Sequence, residues 1–293
     1  MIRMERGSGH IPGEGGVRLR WLSWRVPGAR AALQVVPGLG DHAARYDEFA
    51  VRAARRGLST WALDLRGHGR SEGTRVHVER FDTLVADVLA FRGLVRDATP
   101  PGAPLFLFGH SMGGLIAIRT LQAAPDAFTG AVLSSPWLAE PRAVPPWKEA
   151  LGRVLLHLAP AARLPNGISA ADISHDPAVV REYDADPLVQ HGITPALYYA
   201  ARAAQDAARA APDAVRAPTL FLLAGADRVV SAPAARTFAA RLVEGADVEV
   251  FPGLYHEVWN EADAGPVYRR LFAWIEERLS EGERNPRGED RDA

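Results

Sequence analysis

The chain has no cysteine, which excludes disulfides, a thiolate nucleophile and any zinc or iron–sulfur site ligated by cysteine. It has no run of about 18 apolar residues, so no segment reads as a transmembrane helix. The charged start, Met1-Ile2-Arg3-Met4-Glu5-Arg6, leads into no apolar stretch of the signal-peptide kind. The expectation is a soluble, cytoplasmic protein. Net charge is also missing: 34 basic residues against 35 acidic leave −1, which argues against a general electrostatic grip on nucleic acid. The glycine-punctuated stretch Arg66-Gly67-His68-Gly69-Arg70-Ser71-Glu72-Gly73 is not followed by a helix opening with Lys-Ser or Lys-Thr, so it is no phosphate cradle. There is no internal repeat, and no metal or other cofactor is expected.

What is present suits a globular protein with core enough to bury an active site. The 293 residues, 47% hydrophobic and 24% charged, can form one large α/β domain with an insertion, or two smaller domains. Residues 17–24 alternate large apolar and polar side chains, as a half-buried antiparallel strand does. Short apolar runs follow at 31–36, 60–64, 105–108, 131–135, 219–224 and 248–251, and helical periodicity falls between them at 46–56, 78–95, 112–121 and 266–279. That alternation predicts a mostly parallel sheet covered by helices on both faces. Residues up to Gly16, rich in glycine and charge, read as a loose arm.

Regularity stops at Trp137. After Pro145-Pro146, residues Trp147, Leu151, Val154, Leu155 and Leu158 fall on one helical face. The spacing predicts an inserted helical cap over 137–212, with a core at 1–136 and 213–280 and a disordered tail at 281–293. The apolar stripe is expected to pack on the main domain; the alternative is that part of it lines a substrate tunnel or touches a lipid surface transiently.

Gly109-His110-Ser111-Met112-Gly113 is the centre of the chain. It fits the G-x-S-x-G nucleophile elbow, entered from an apolar strand and left by a helix. Glycines permit the strained turn that lifts the hydroxyl clear of the sheet, and the helix start presents free N–H groups to an oxyanion. The alternative is a glycine-rich turn with an incidental serine. An unassisted serine hydroxyl is a poor nucleophile at neutral pH, so a base must take its proton and a carboxylate must orient that base. Asp227 and His256 each directly follow a predicted strand, giving the chain order Ser, Asp, His. Asp247 and Asp263 read instead as solvated or capping residues, and His68 as a structural loop histidine. For the oxyanion, Met112 supplies one backbone N–H and Leu39 a second, because Gly38 and Gly40 let the loop turn inward; a plain Pro-Gly turn is the alternative.

Gly38-Leu39-Gly40-Asp41-His42 with Arg45-Tyr46, Asp64-Leu65-Arg66-Gly67-His68-Gly69-Arg70-Ser71, the elbow, Asp186-Pro187-Leu188, and Tyr255-His256-Glu257 with Asn260-Glu261 together resemble the monoacylglycerol lipase and lysophospholipase group of α/β-hydrolases. The resemblance covers nearly the whole chain. It implies the α/β-hydrolase fold, Ser111, Asp227 and His256 as triad, Leu39 and Met112 as oxyanion donors, and 137–212 as lid. It implies a serine hydrolase that cleaves monoacylglycerol to fatty acid and glycerol, with a small acyl ester or lipid as substrate, no nucleic-acid partner, and transient membrane-surface contact through the cap and the oligomeric state both left open. A lysophospholipase, a short-chain carboxylesterase, a carbon–carbon hydrolase and a non-catalytic binding protein are the alternatives. One departure is Pro37, where that group usually has histidine: proline brings neither an N–H nor a polar side chain to the oxyanion loop.

Overall fold

The computed structural model describes residues 3–243 and 245–284. Eight strands form one sheet: β1 (Glu5–Pro12), β2 (Arg18–Arg25), β3 (Ala31–Val36), β4 (Leu58–Leu63), β5 (Leu105–His110), β6 (Gly130–Ser134), β9 (Thr219–Ala224) and β10 (Ala246–Phe251), in the order β1-β2-β4-β3-β5-β6-β9-β10. β1 and β2 pair antiparallel; from β4 to β10 every pairing is parallel.

Side-chain alternation explains the two-sided core. In β3, Leu33 and Val35 join the cluster on one face, Ala32 and Val36 the cluster on the other. In β5, Phe106 and Phe108 take the first face, Leu105 and Leu107 the second. Strands buried on both faces need continuous apolar runs, which is what the sequence shows there. The covering helices are α1 (Asp47–Ala54), α2 (Asp82–Asp97), α3 (Met112–Ala123), α7 (Ala232–Ala239) and α8 (Gly265–Arg284). β4 and β5 flank β3, so the chain's winding reverses at β3 and β5. Open α/β sheets keep their ligands at such a switch point, beyond the carboxyl ends of the strands.

Three expectations are corrected. The loose arm is β1, paired to β2 over its whole length; its glycines are close-packed, since a Cβ at Gly9 would lie 2.6 Å from the Trp21 ring and one at Gly7 would lie 2.7 Å from Ser23 Oγ. The helix expected from residue 78 starts at Asp82, although Val78 and Phe81 are buried ahead of it. The tail expected to be disordered at 281–293 is helical over 281–284, the last turn of α8; residues 285–293 lie outside the described residues.

Between β6 and β9 the chain inserts α4 (Pro146–Leu158), the two-residue pair β7 (Leu164–Pro165) and β8 (Gly192–Ile193), α5 (Pro177–Ala185) and α6 (Pro195–Ala210). The insertion has a small core of its own around Ala170, Ile173, Tyr183 and Val189. It is tied down by Gln190 N–H to Gly40 O at 2.8 Å and by Thr194, whose N–H and hydroxyl both donate to Val76 O, at 3.3 and 3.0 Å. The apolar stripe of α4 does not pack as expected. Trp147, Leu151, Val154 and Leu158 are exposed, Leu158 to 79%; α4 meets α6 through Tyr199, whose hydroxyl donates to Glu149 O at 2.9 Å. Among the described residues no helix is long and apolar enough to cross a membrane.

Candidate active site

Ser111 sits between β5 and α3 with φ 54° and ψ −119°, in the positive-φ region that costs an L-residue strain. The surroundings impose that turn. Ser111 N–H donates to Ser134 O at 3.0 Å, and Ser111 O accepts from Gly114, Leu115 and Trp137. A Cβ at Gly113 would stand 2.1 Å from Val36 O and 2.4 Å from Pro37 O, so only glycine lets α3 press against the loop after β3. That loop carries Leu39. Neither the Leu39 nor the Met112 amide N–H donates to a protein group among the described residues; Leu39 lines one cavity with Ser111, and Met112 follows Ser111 directly in the chain.

Asp227 follows β9, where its Oδ1 accepts from the Val229 and Val230 amides at 2.8 and 2.9 Å. Its Oδ2 meets His256 Nδ1 at 2.9 Å, with side chains only 1% and 4% exposed. Burial pushes the Asp227 carboxyl up, but His256 and the two amides outweigh it and hold the group below its ordinary range. His256 lies beyond the carboxyl end of β10. The structure thus joins Asp227 to His256 directly and sets Ser111, Leu39 and His256 around one small cavity of about 20 Å³, room for about one water molecule or one carbonyl oxygen. Among the described residues no hydrogen bond joins Ser111 Oγ to the His256 ring; such contacts commonly tighten only when substrate is bound.

The other histidines and acids separate cleanly. His110 is buried against His256, ring centroids 4.7 Å apart, with Nδ1 3.2 Å from Ser134 Oγ; burial and its charged-form conflict with His256 push it down to about 4. His68 is buried on Arg66 O, its Nδ1 at 2.9 Å, and burial lowers it to about 4. Asp247 lies inside β10, not before it, and accepts from Arg270 and Trp274 with its side chain 41% exposed, so it is partly solvated and not a cap. No group of three or more His, Asp and Glu among the described residues could hold a metal ion.

Sequence reasoning left a second charged layer without a role. Arg45 donates twice to Glu257, at 2.7 and 2.8 Å, and once to Asp41 at 3.1 Å; Tyr46 also donates to Asp41, and Asn260 to Glu257. Burial pushes the Glu257 carboxyl up, but the Arg45 charge and its hydrogen bonds hold it well below the carboxylate range. This bidentate pair joins the residue after His256 to the loop that carries Leu39. Two ties to the insertion run alongside: His42 Nε2 to Asp186 Oδ2 at 2.9 Å, and Glu261, which accepts from the Tyr255 amide and from His175. The signal was present as charged residues directly beside Leu39 and His256, in segments otherwise apolar.

A larger cavity of about 370 Å³ opens onto Ser111 and Leu39 beneath the insertion. Trp137, Val144, Ile168, Ile193 and Val229 supply its apolar wall, and α4 borders it through Lys148, Glu149 and Gly152. A strained serine at a helix start, the Leu39 and Met112 amides, a buried imidazole–carboxylate pair and an adjoining, mostly apolar cavity are parts for acyl transfer.

Residues 27–263 match the family model described as serine aminopeptidase, S33. The chain is 35% identical to the monoacylglycerol lipase of Mycolicibacterium smegmatis, covering 94% of this chain and 99% of that one. It is 32% identical to the human monoglyceride lipase, covering 92% and 91%. Among solved structures it resembles the Paleococcus ferrophilus monoacylglycerol lipase, with a TM-score of 0.76 and 28% identity over 95% of this chain and 99% of that one.

Proposed function

The chain belongs to the serine aminopeptidase S33 family, in the monoacylglycerol lipase group of α/β-hydrolases, and on that premise we propose that Ser111, with His256 and Asp227, cleaves monoacylglycerols to fatty acid and glycerol. The protein is a carboxylic ester hydrolase. In the proposed cycle His256 Nε2 takes the proton of Ser111 Oγ as the oxygen attacks the ester carbonyl, and Asp227 stabilises the imidazolium. Leu39 and Met112 N–H receive the negative charge of the tetrahedral intermediate. Collapse breaks the carbon–oxygen bond to glycerol, which leaves with the proton from His256. Water then attacks the acyl-enzyme by the same route and releases the fatty acid.

The observation that carries the proposal is the shared small cavity: Ser111, Leu39 and His256 line it together, with Asp227 bonded to the far nitrogen of the imidazole. The insertion at 137–212 acts as the cap, since it roofs the larger cavity. Trp147, Leu151, Val154 and Leu158 lie on its outer side and exposed, which suits transient contact with a lipid aggregate from which substrate is drawn. A phosphate-bearing head group is disfavoured because Lys148, the one basic residue on the cavity among the described residues, is outnumbered by Glu140 and Glu149.

Initial rates on a glycerol ester series, each below its micellar limit, test this. Each buried methylene is worth about 0.8 kcal/mol, roughly fourfold in kcat/KM. The ratio rises from acetyl to at least octanoyl glycerol and exceeds that for a lysophospholipid of equal chain. A maximum at acetyl would identify a short-ester carboxylesterase instead.

A further inference from the structure

The wall of the larger cavity is mostly apolar, with Lys148, Glu149, Asn166, Thr194, Tyr198 and Tyr199 as polar exceptions, and one further group on it is not explained by an alkyl chain. Glu140 lines it, forms no ion pair among the described residues, and has a buried Oε1 with no hydrogen-bond partner. Buried polar atoms are nearly always partnered, and a carboxylate set against hydrocarbon without a donor is costly. Burial raises the Glu140 carboxyl above its ordinary range, against the opposing pull of the Trp137 indole, Arg202 and the Tyr198 hydroxyl. These neighbours moderate the cost without pairing Oε1.

Its placement is also rigid. Trp137 N–H donates to Ser111 O at 3.0 Å, Gln205 Nε2 to Trp137 O at 3.1 Å, Arg209 to Leu138 O, and Ser231 N–H to Ala139 O at 3.0 Å. The three residues 137–139, which lead directly into Glu140, are therefore fixed to the elbow, to α6 and to the start of α7. A carboxylate on such a support, free to turn about its last bond, is a preformed acceptor rather than a stray surface charge.

We propose that Glu140 is a specificity residue in the acyl cavity that accepts a hydrogen bond from a hydroxyl group on the acyl chain, so that hydroxylated acyl esters are preferred over plain alkyl ones. This rests on the proposed ester hydrolysis at Ser111 and adds the class of acyl group. A hydroxyl is the fitting donor because it leaves the chain neutral and small enough for a mostly apolar wall, and because a hydrogen bond to a charged group is stronger than one to a neutral group.

The test compares glyceryl decanoate with glyceryl hydroxydecanoates carrying the hydroxyl at each chain position in turn. With wild-type protein at least one positional isomer exceeds the plain ester about tenfold in kcat/KM, the equivalent of one such bond. Glu140→Leu reverses the preference, with the plain ester gaining and that isomer falling below it; Glu140→Gln, which keeps an acceptor and the side-chain volume, retains part of the preference and serves if the leucine variant does not fold. Wild-type protein that hydrolyses the plain ester and prefers no isomer would show that Oε1 is satisfied by water alone, and the proposal would fall while ester hydrolysis stood. A preference that survives unchanged in both variants would also overturn it, by placing the hydroxyl elsewhere. Wild-type protein that hydrolyses none of the esters and takes no fluorophosphonate on Ser111 would overturn both readings.

Discussion

At Leu39 the chemistry assigned is main-chain, and side-chain and backbone changes therefore separate. Leu39→Ala keeps the N–H and is expected to retain most of the turnover. Leu39→Pro removes the donor and is expected to cost roughly 10² to 10³ in kcat, with circular dichroism first showing both proteins folded. Equal, mild effects would place the second donor on another residue. Residue-scale legibility was uneven for a physical reason. Ser111, Asp227 and His256 stood out because each needs a strand end before it, and strand ends are local in sequence. The Arg45–Glu257 pair spans 212 positions, and nothing local to either residue names the other; only their nearness to Leu39 and His256 hinted that they matter. Glu140 was likewise invisible, because an orphaned oxygen is a property of its surroundings.

The most informative element is α4, whose pattern was read correctly and whose destination was not. An apolar stripe at helical spacing has the same signature whether it meets a core, a partner or solvent, and the sequence does not say what lies opposite it. Here Tyr199 and the cavity take the Glu149 and Gly152 side, which turns Trp147, Leu151, Val154 and Leu158 outward. β1 failed for a different reason: Gly7 and Gly9 look like disorder in composition but are required beneath Trp21 and Ser23. Replacing Trp147 and Leu158 together by Ser is expected to leave thermal stability nearly unchanged, because surface changes of this kind fall within about 0.5 kcal/mol. Hydrolysis of a dissolved short-chain ester stays at the wild-type rate, while binding to phospholipid vesicles, followed by sedimentation, weakens severalfold. A marked loss of stability with unchanged vesicle binding would mean that the stripe packs within the protein.

Over the whole molecule, the strand and helix alternation was legible because every buried strand must be apolar on both faces, whereas the insertion, with short elements and a four-residue core of its own, offered no such regularity. The buried charges also act on the molecule as a whole, through pH. Between 6.5 and about 4 the unfolded chain takes up protons on His68 and His110 that the folded chain refuses, so stability is full above that window and falls as pH drops through it. Asp227, Glu257 and Glu261, all held below their ordinary range, extend the loss: their contribution is present above the unfolded carboxylate values and disappears as pH falls toward the depressed ones. Asp64 and Glu140, raised by burial, act in the opposite sense. The urea midpoint is therefore expected to fall between neutral pH and pH 5 and further by pH 4, at constant m-value. A flat midpoint across that range would mean that the two imidazoles are not buried neutral.

Everything assigned to the site depends on Ser111 being the nucleophile, and a single mass measurement addresses that. Wild-type protein is incubated with a fluorophosphonate, its intact mass recorded and the adduct located by peptide sequencing, with Ser111→Ala treated in parallel. The expected result is one adduct per chain, on Ser111, with matching loss of ester hydrolysis and no adduct on the folded alanine variant. An adduct on any other residue, or an alanine variant that is labelled and turns over ester like the wild type, would contradict it.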